Sequence, residues 1–217
     1  MRKRKFLLPT AVVLFAAALL LVILHPWDRG PSGPVVVCLD AGHGGTAAGA
    51  EFEGRLEKDD NLKMALRVRD LLESSGCELK VVLTRTDDSS VELQERCDIA
   101  TEKDATMFVS LHRNSGGGAG VETWTVAKPT DGDTALAKAI QTRLVGVGVS
   151  SDRDVRNGTA ENPNGNYYVL EHTEGIPGCL VELGFIDSAE DNALLDEHFE
   201  EYAAAIADGI LYAAGLK

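Results

Sequence analysis

The chain has 217 residues, 44% of them apolar and 25% charged, with a formal charge of −13. That length suits one domain with a sizeable core, and the composition excludes disordered and fibrous classes. Four basic residues (Arg2, Lys3, Arg4, Lys5) and no acid fall in the first 25 positions, which leaves 17 basic against 34 acidic residues, a net −17, in the remainder. Such a body excludes a nucleic-acid partner, which needs a basic surface, and argues against non-specific docking on anionic lipid. The four cysteines are too few for a disulfide scaffold.

Residues 1–5 are a basic segment, and Phe6 to Leu24 follow as 19 residues without a charge. At about 1.5 Å rise per residue, that run just spans a hydrocarbon core of about 30 Å. The basic run precedes the span, so the positive-inside rule puts the amino terminus in the cytoplasm and the acidic body outside the membrane. Trp27 stands where an interfacial aromatic belongs. A cleaved signal peptide is the competing reading, with Ala16–Ala18 as the small-residue site, but six apolar residues follow that site. Either way the body is exported. Residues 25–34 form a linker rich in Gly and Pro over Asp28–Pro34, and 35–217 form the domain.

Val35–Leu39 is a continuous apolar run, predicted as a strand buried on both faces. Residues 42–45 make a turn. A helix is expected over 57–75, with Asp59 and Asp60 in its first turn and Leu62, Ala65, Val68 and Leu72 at helical spacing. Further strands are expected at 79–83 and 106–111, with a helix at 91–103 between them. A strand at 121–126 and a helix at 134–145 follow. Residues 146–166 hold few apolar side chains and read as a long loop. Two short strands at 167–170 and 178–182, then helices at 189–195 and 199–214, complete the domain. Strands alternating with helices predict a single α/β domain with a mostly parallel sheet.

Three sites interrupt apolar strands with polar groups at their carboxyl ends, the edge where open α/β sheets bind ligands. They are Asp40-Ala-Gly-His43-Gly-Gly, Ser110-Leu-His112-Arg-Asn114 and Cys179-Leu-Val-Glu182-Leu-Gly-Phe185. Glu182 is a carboxylate within an apolar run, a costly placement unless it is paired or lies near a metal. Glu57, at the start of a helix, can turn toward the same edge. Two histidines and one carboxylate make a catalytic zinc set, and a further carboxylate can take a proton from water. For any one of these residues alone a structural role is the commoner outcome; three strand ends in one sheet bring a site level with it.

At these residues the chain resembles the zinc-dependent N-acetylmuramoyl-L-alanine amidases of the amidase-3 family. VCLDAGHGG resembles the first ligand motif, with Ala41 where proline is usual, and GRLEKDDNL resembles the segment carrying the glutamate ligand. LTRTDD and LQERCDIA resemble its arginine-bearing segments. MFVSLHRNS resembles the second histidine motif, with Arg113 and Ser115 in place of alanines. GCLVELGFIDS resembles the catalytic strand, with Gly178 and Cys179 as departures. The segments stand in family order from Val35 to the carboxyl end. The resemblance implies one zinc ion on His43, Glu57 and His112, with Glu182 as the catalytic carboxylate. It implies hydrolysis of the amide between N-acetylmuramic acid and L-alanine in peptidoglycan, of vegetative wall or spore cortex. It implies a twisted sheet with helices on both faces, similar to zinc carboxypeptidases. Arg113 could meet a carboxylate of the substrate or point to solvent.

Some family members carry an inserted plug before the helix expected at 134–145; residues 127–133 are too few for one. The domain is therefore expected not to inhibit itself, and the sequence names no protein activator. Two rivals stay open: a zinc peptidase on the same fold, and a non-catalytic peptidoglycan-binding module. His172, His198 and His25 read as surface or structural residues, and Cys38 and Cys179 as buried free thiols. Cys77 and Cys97 could pair only if folding brought them together. Asn166, Tyr167 and Tyr168 suggest a groove wall, and Trp124 suits core or sugar platform equally.

Overall fold

A computed structural model describes residues 33–217. The expected span and its basic flank lie outside the described residues; among those described, no helix is long and apolar enough to cross a membrane.

In chain order, β1 is Val35–Ala41, β2 Glu51–Phe52, β3 Arg55–Leu56, α1 Glu57–Glu73, β4 Leu79–Leu83, α2 Leu93–Glu102 and β5 Met107–Asn114. Then come β6 Val121–Thr125, α3 Asp131–Val147, β7 Asp152–Asn157, α4 Tyr168–Glu171, β8 Gly178–Phe185, α5 Ala189–Glu197 and α6 Phe199–Ala213. The six long strands form one sheet in the order β4-β1-β5-β8-β6-β7. Neighbours are parallel except β6 and β8, which pair antiparallel, so the α/β class and the mostly parallel sheet are as expected.

Side chains alternate along a strand, so each strand feeds two layers. Val37, Leu39, Val109, Leu111, Val181 and Leu183 enter the larger core with Met64 and Leu72 of α1, Ile140 and Leu144 of α3, and Ile206 and Ile210 of α6. Their strand neighbours Val36, Cys38, Phe108, Leu180 and Trp124 point the other way, into a smaller core closed by Cys97 and Ala100 of α2 and Val169 and Leu170 of α4. The smaller core stops short. Beyond it on the same face stand Asp40, Ser110, His112, Glu182 and Glu122, and there the site lies.

Three expectations need correction, and one element is additional to them. The loop expected over 146–166 contains β7, an edge strand whose polar, exposed residues hide it from a search for apolar runs. Residues 167–170, expected as a strand, form the single turn α4 after Tyr167. Strand β8 already has neighbours on both sides, so no ladder is open to that segment. The hairpin of β2 and β3 was not expected at all. Helix α3 starts at Asp131, not at 134, because Thr130 and Asp133 form a reciprocal capping box. Cys77 and Cys97 are free and pack into different cores, one on each side of the sheet.

Gly209 sets the approach of α6 to α3. A Cβ there would stand 2.8 Å from both Cα and Cγ1 of Ile140, and main chain cannot swing aside. Gly209→Val gains a few tenths of a kcal/mol of helix propensity and loses about 1–3 kcal/mol to overpacking. Urea titration should show a lower midpoint with an unchanged slope.

Candidate active site

The first strand end is shaped by two buried arginines. Asp40 is buried and accepts from the hydroxyls of Thr84 (2.7 Å) and Ser110 (2.6 Å) and from Arg96 Nη1 (2.7 Å). Burial alone would raise its carboxyl; Arg96 and Ser110 outweigh that and hold it below the usual carboxylate range. Arg96 also donates to the carbonyls of Ala41 (2.8 Å) and His43 (2.7 Å). Arg85 donates to those of Ala41 (2.9 Å) and Gly42 (3.0 Å). These bonds hold the chain through the turn, where His43 sits at φ +60°, a conformation that non-glycine residues seldom adopt. Gly42 is required by close approach: a Cβ on it would lie 2.3 Å from the His112 ring.

Glu57 is the hub of the site. It opens α1 just after the β2–β3 hairpin, with Asp59 and Asp60 in the same first turn. Its Oε2 accepts from the Ala50 amide (2.8 Å), and its Oε1 from the Arg113 amide (3.1 Å) and Asn61 Nδ2 (3.3 Å). His112 Nδ1 lies 2.8 Å from Oε1, and His43 Nε2 lies 3.2 Å from it. Burial would raise the Glu57 carboxyl, but hydrogen bonds and charge from the two histidines hold it well below its ordinary value. One donor atom from each of His43, Glu57 and His112 falls within 4.8 Å of the others. Two imidazoles and a carboxylate fit a small divalent ion, and leave room for water or substrate.

Glu182 pairs in register with His112 on one side and Glu122 on the other. It is buried, and its Oε2 has no hydrogen-bond partner among the described residues. Burial, then the charges of Glu57 and Glu122, push its carboxyl well above the ordinary value, with Arg113 opposing. The four residues line one cavity of about 580 Å³, with Leu93 and Tyr168 exposed on its wall. Tyr167 also lines it and packs edge-on against Trp124, centroids 5.8 Å apart. Trp124 itself is buried in the smaller core, so of its two expected roles the core is found. His172 is exposed, stacked on Tyr168 at 3.8 Å.

Both expectations for Arg113 are overturned. Its side chain points away from the site into the opposite layer and is fully buried. There it meets Asp60 of α1, Asn192 of α5 (2.6 Å) and the carbonyls of Gly184 and Phe185 (3.2 Å each). It thus joins the elements that carry Glu57, His112 and Glu182 from behind. Strand alternation explains the outcome: His112 faces the cleft, so its neighbour cannot. Sequence reasoning did not assign a role to Arg96 or Glu122. Arg96 lies on the inward stripe of its helix beside Cys97 and Ala100, and Glu122 interrupts a buried strand as Glu182 does.

An α/β domain whose strand ends and first helix bring two imidazoles and a carboxylate beside a buried, unpartnered glutamate has the makings of a hydrolase. The chain belongs to the N-acetylmuramoyl-L-alanine amidase family, which it matches over residues 37–212, and so to the hydrolases of peptidoglycan. It is 33% identical over 188 residues to the sporulation-specific N-acetylmuramoyl-L-alanine amidase of Bacillus subtilis, covering 84% of this chain and 69% of that one. The catalytic domain of the CwlV amidase from Bacillus (Paenibacillus) polymyxa var. colistinus superposes with a TM-score of 0.74 at 36% identity, covering 84% of this chain and 99% of that one. The CwlD amidase of Clostridioides difficile, solved in complex with the GerS lipoprotein, gives 0.72 at 33% identity, covering 84% of this chain and 100% of that one.

Two outcomes follow from the geometry. Gly42→Ala drives a methyl into the His112 ring, so metal affinity measured by chelator competition should fall at least about tenfold while circular dichroism shows a folded chain. Glu182→Gln removes a buried carboxylate that resists ionisation. Ionising a group whose folded pKa is raised costs stability above its ordinary value of 4.5, so the benefit of the amide grows as pH rises from there. The metal-free variant should melt a few degrees higher than its parent at neutral pH, with the gap narrowing toward pH 4.5.

Proposed function

We propose that His43, Glu57 and His112 hold one zinc ion and that Glu182 is the catalytic carboxylate of peptidoglycan amide hydrolysis. The bond is the amide between the lactyl group of N-acetylmuramic acid and L-alanine. The unpartnered Glu182 carboxylate beside the three-donor cluster carries this reading. A mixed imidazole and carboxylate set suits zinc over softer or harder divalent ions. When bound, zinc supplies a Lewis acid that polarises a carbonyl and acidifies water.

The protein's own groups do the rest. Glu182, with its raised proton affinity, accepts the proton of the attacking water and holds it in the buried end of the cleft. As the carbon–oxygen bond forms and the carbon–nitrogen bond breaks, Glu182 returns that proton to the leaving amine. Glu57 is itself fixed by the amides of Ala50 and Arg113 and by Asn61, so the carboxylate that would hold the metal is oriented without help from the two histidines. Arg85 and Arg96 hold the His43 turn in place.

The apolar run at 6–24 anchors the chain in the membrane, with the domain outside, where its substrate is. The link from β6 to α3 is only residues 126–130, so no inserted helix occupies the cleft from that side. Such a site works without an activator, even though the CwlD relative was solved with a lipoprotein partner.

Purified chain with zinc should release peptides beginning with free L-alanine from peptidoglycan, with no second protein added. Chelation should stop the release, and Glu182→Ala should slow it by about 10²–10⁴-fold while bound zinc per chain stays the same. Mass analysis that instead finds cuts inside the peptide would replace the amidase with a peptidase. Wall binding without any cut would replace it with a binding module.

A further inference from the structure

We infer that Arg153 and Arg156 form a clamp for a carboxylate of the substrate's peptide, and so select stem peptides whose second residue keeps its free carboxyl group. The inference rests on the amidase reading above and extends it from the scissile bond to the leaving peptide.

Among the described residues, strand β7 forms the outer edge of the sheet, two strands beyond the β8 that carries Glu182. Residues three apart on a regular strand point to opposite faces. Arg153 and Arg156 do not: both reach Glu122 Oε2, each with Nε at 2.9 Å. The register against β6 slips between Val121 and Thr123, and Asp154 adopts φ +71° there. A bulge of this kind re-aims a side chain, and a non-glycine residue in the left-handed region keeps it at a cost in strain. Here it brings both arginines onto the face of the catalytic cleft.

The arrangement is built for a further anion. Glu122 is buried and supplies one negative charge against two positive ones. Glu122 also accepts from Asn114 Nδ2 at 2.6 Å, and Asn114 lines the cleft. Each guanidinium lies over an aromatic ring, Arg153 over Phe185 at 4.9 Å and Arg156 over Trp124 at 5.7 Å. The Nε atoms are committed, yet no Nη group of either arginine hydrogen-bonds to another described residue. Their side chains are 31% and 44% exposed, so these forks are open to solvent. An anchored planar fork is the geometry that grips a carboxylate bidentately. The body as a whole carries a net −17, which repels an acidic peptide, so two arginines against one carboxylate beside the site are distinctive.

Position selects the residue. The leaving nitrogen must lie by Glu182, and the peptide begins at that nitrogen. From β8 to β7 is two strand spacings, about 10 Å. An extended peptide advances about 3.3 Å per residue, and arginine side chains reach back to shorten the gap. The carboxylate of the second residue, D-glutamate in a wall peptide, falls in range. Amidation of that group removes its charge.

The test compares two soluble muropeptides that differ only in whether the D-glutamate α-carboxyl is free or amidated. The unaltered full chain should show a kcat/KM about tenfold higher for the free acid, carried mainly by KM. Arg153→Gln and Arg156→Gln should each bring the ratio of the two substrates toward one, and Arg156→Lys should restore much of it. Single changes are used because loss of both arginines would leave buried Glu122 unpaired; thermal melting reports whether each variant is folded. A ratio that the substitutions leave unmoved, or an unaltered chain without preference, overturns the clamp alone. No amide cleavage of either substrate by the unaltered chain overturns the amidase reading and the clamp with it.

Discussion

The alternation of side chains across a pleated strand is the constraint on which the rest of this protein depends. It divides β1, β5, β6 and β8 between an apolar layer that fills the larger core and a second layer that changes character along its length. Toward the carboxyl ends the second layer passes from Cys38, Phe108 and Leu180 to Asp40, Ser110, His112 and Glu182 within one or two strand positions. The same rigid ladder that excludes water on one side therefore aligns ionisable groups on the other. A one-residue slip of any of these strands would bury the charges and expose the core, so register and chemistry are specified by one pattern.

The ionisable groups are then fixed by each other. Glu57 is held by two imidazoles, two backbone amides and Asn61. Asp40 and Arg96 form a buried pair whose spare donors go to carbonyls of the His43 turn. Buried pairs contribute little net stability compared with apolar packing, but they admit few alternative geometries. Glu182, whose Oε2 has no partner among the described residues, is the group to which the proposed reaction assigns proton transfer.

Much of this was legible in the sequence, and the failures share a cause. Val35–Leu39, Leu79–Leu83 and the helical stripe of Leu62, Ala65, Val68 and Leu72 read correctly because burial left an apolar period. His43, His112 and Glu182 stood out as polar groups at strand ends and Glu57 as a carboxylate at a helix start, and family motifs joined them across the chain. Strand β7 did not stand out, because an edge strand with a bulge has neither an apolar run nor strict alternation. Arg113 was misread for a different reason. Its neighbour His112 drew it into the site by sequence adjacency, whereas in a strand adjacency places two side chains on opposite faces. The connectors α4 and β2–β3 are too short for periodicity to register.

The burial of Arg113 bears on which neighbouring positions can change independently. Its guanidinium meets Asp60, which also binds Arg55, and Arg55 in turn binds Asp196. Two cations and two anions balance across β3, α1, β5 and α5, with Asn192 completing the set. Replacing the arginine alone would open a void and take from Asp60 one of its two cations, with Arg55 the partner that remains. The four charged positions are therefore coupled: a change at any one alters what the other three must neutralise, so substitutions among them do not add in their effect on stability.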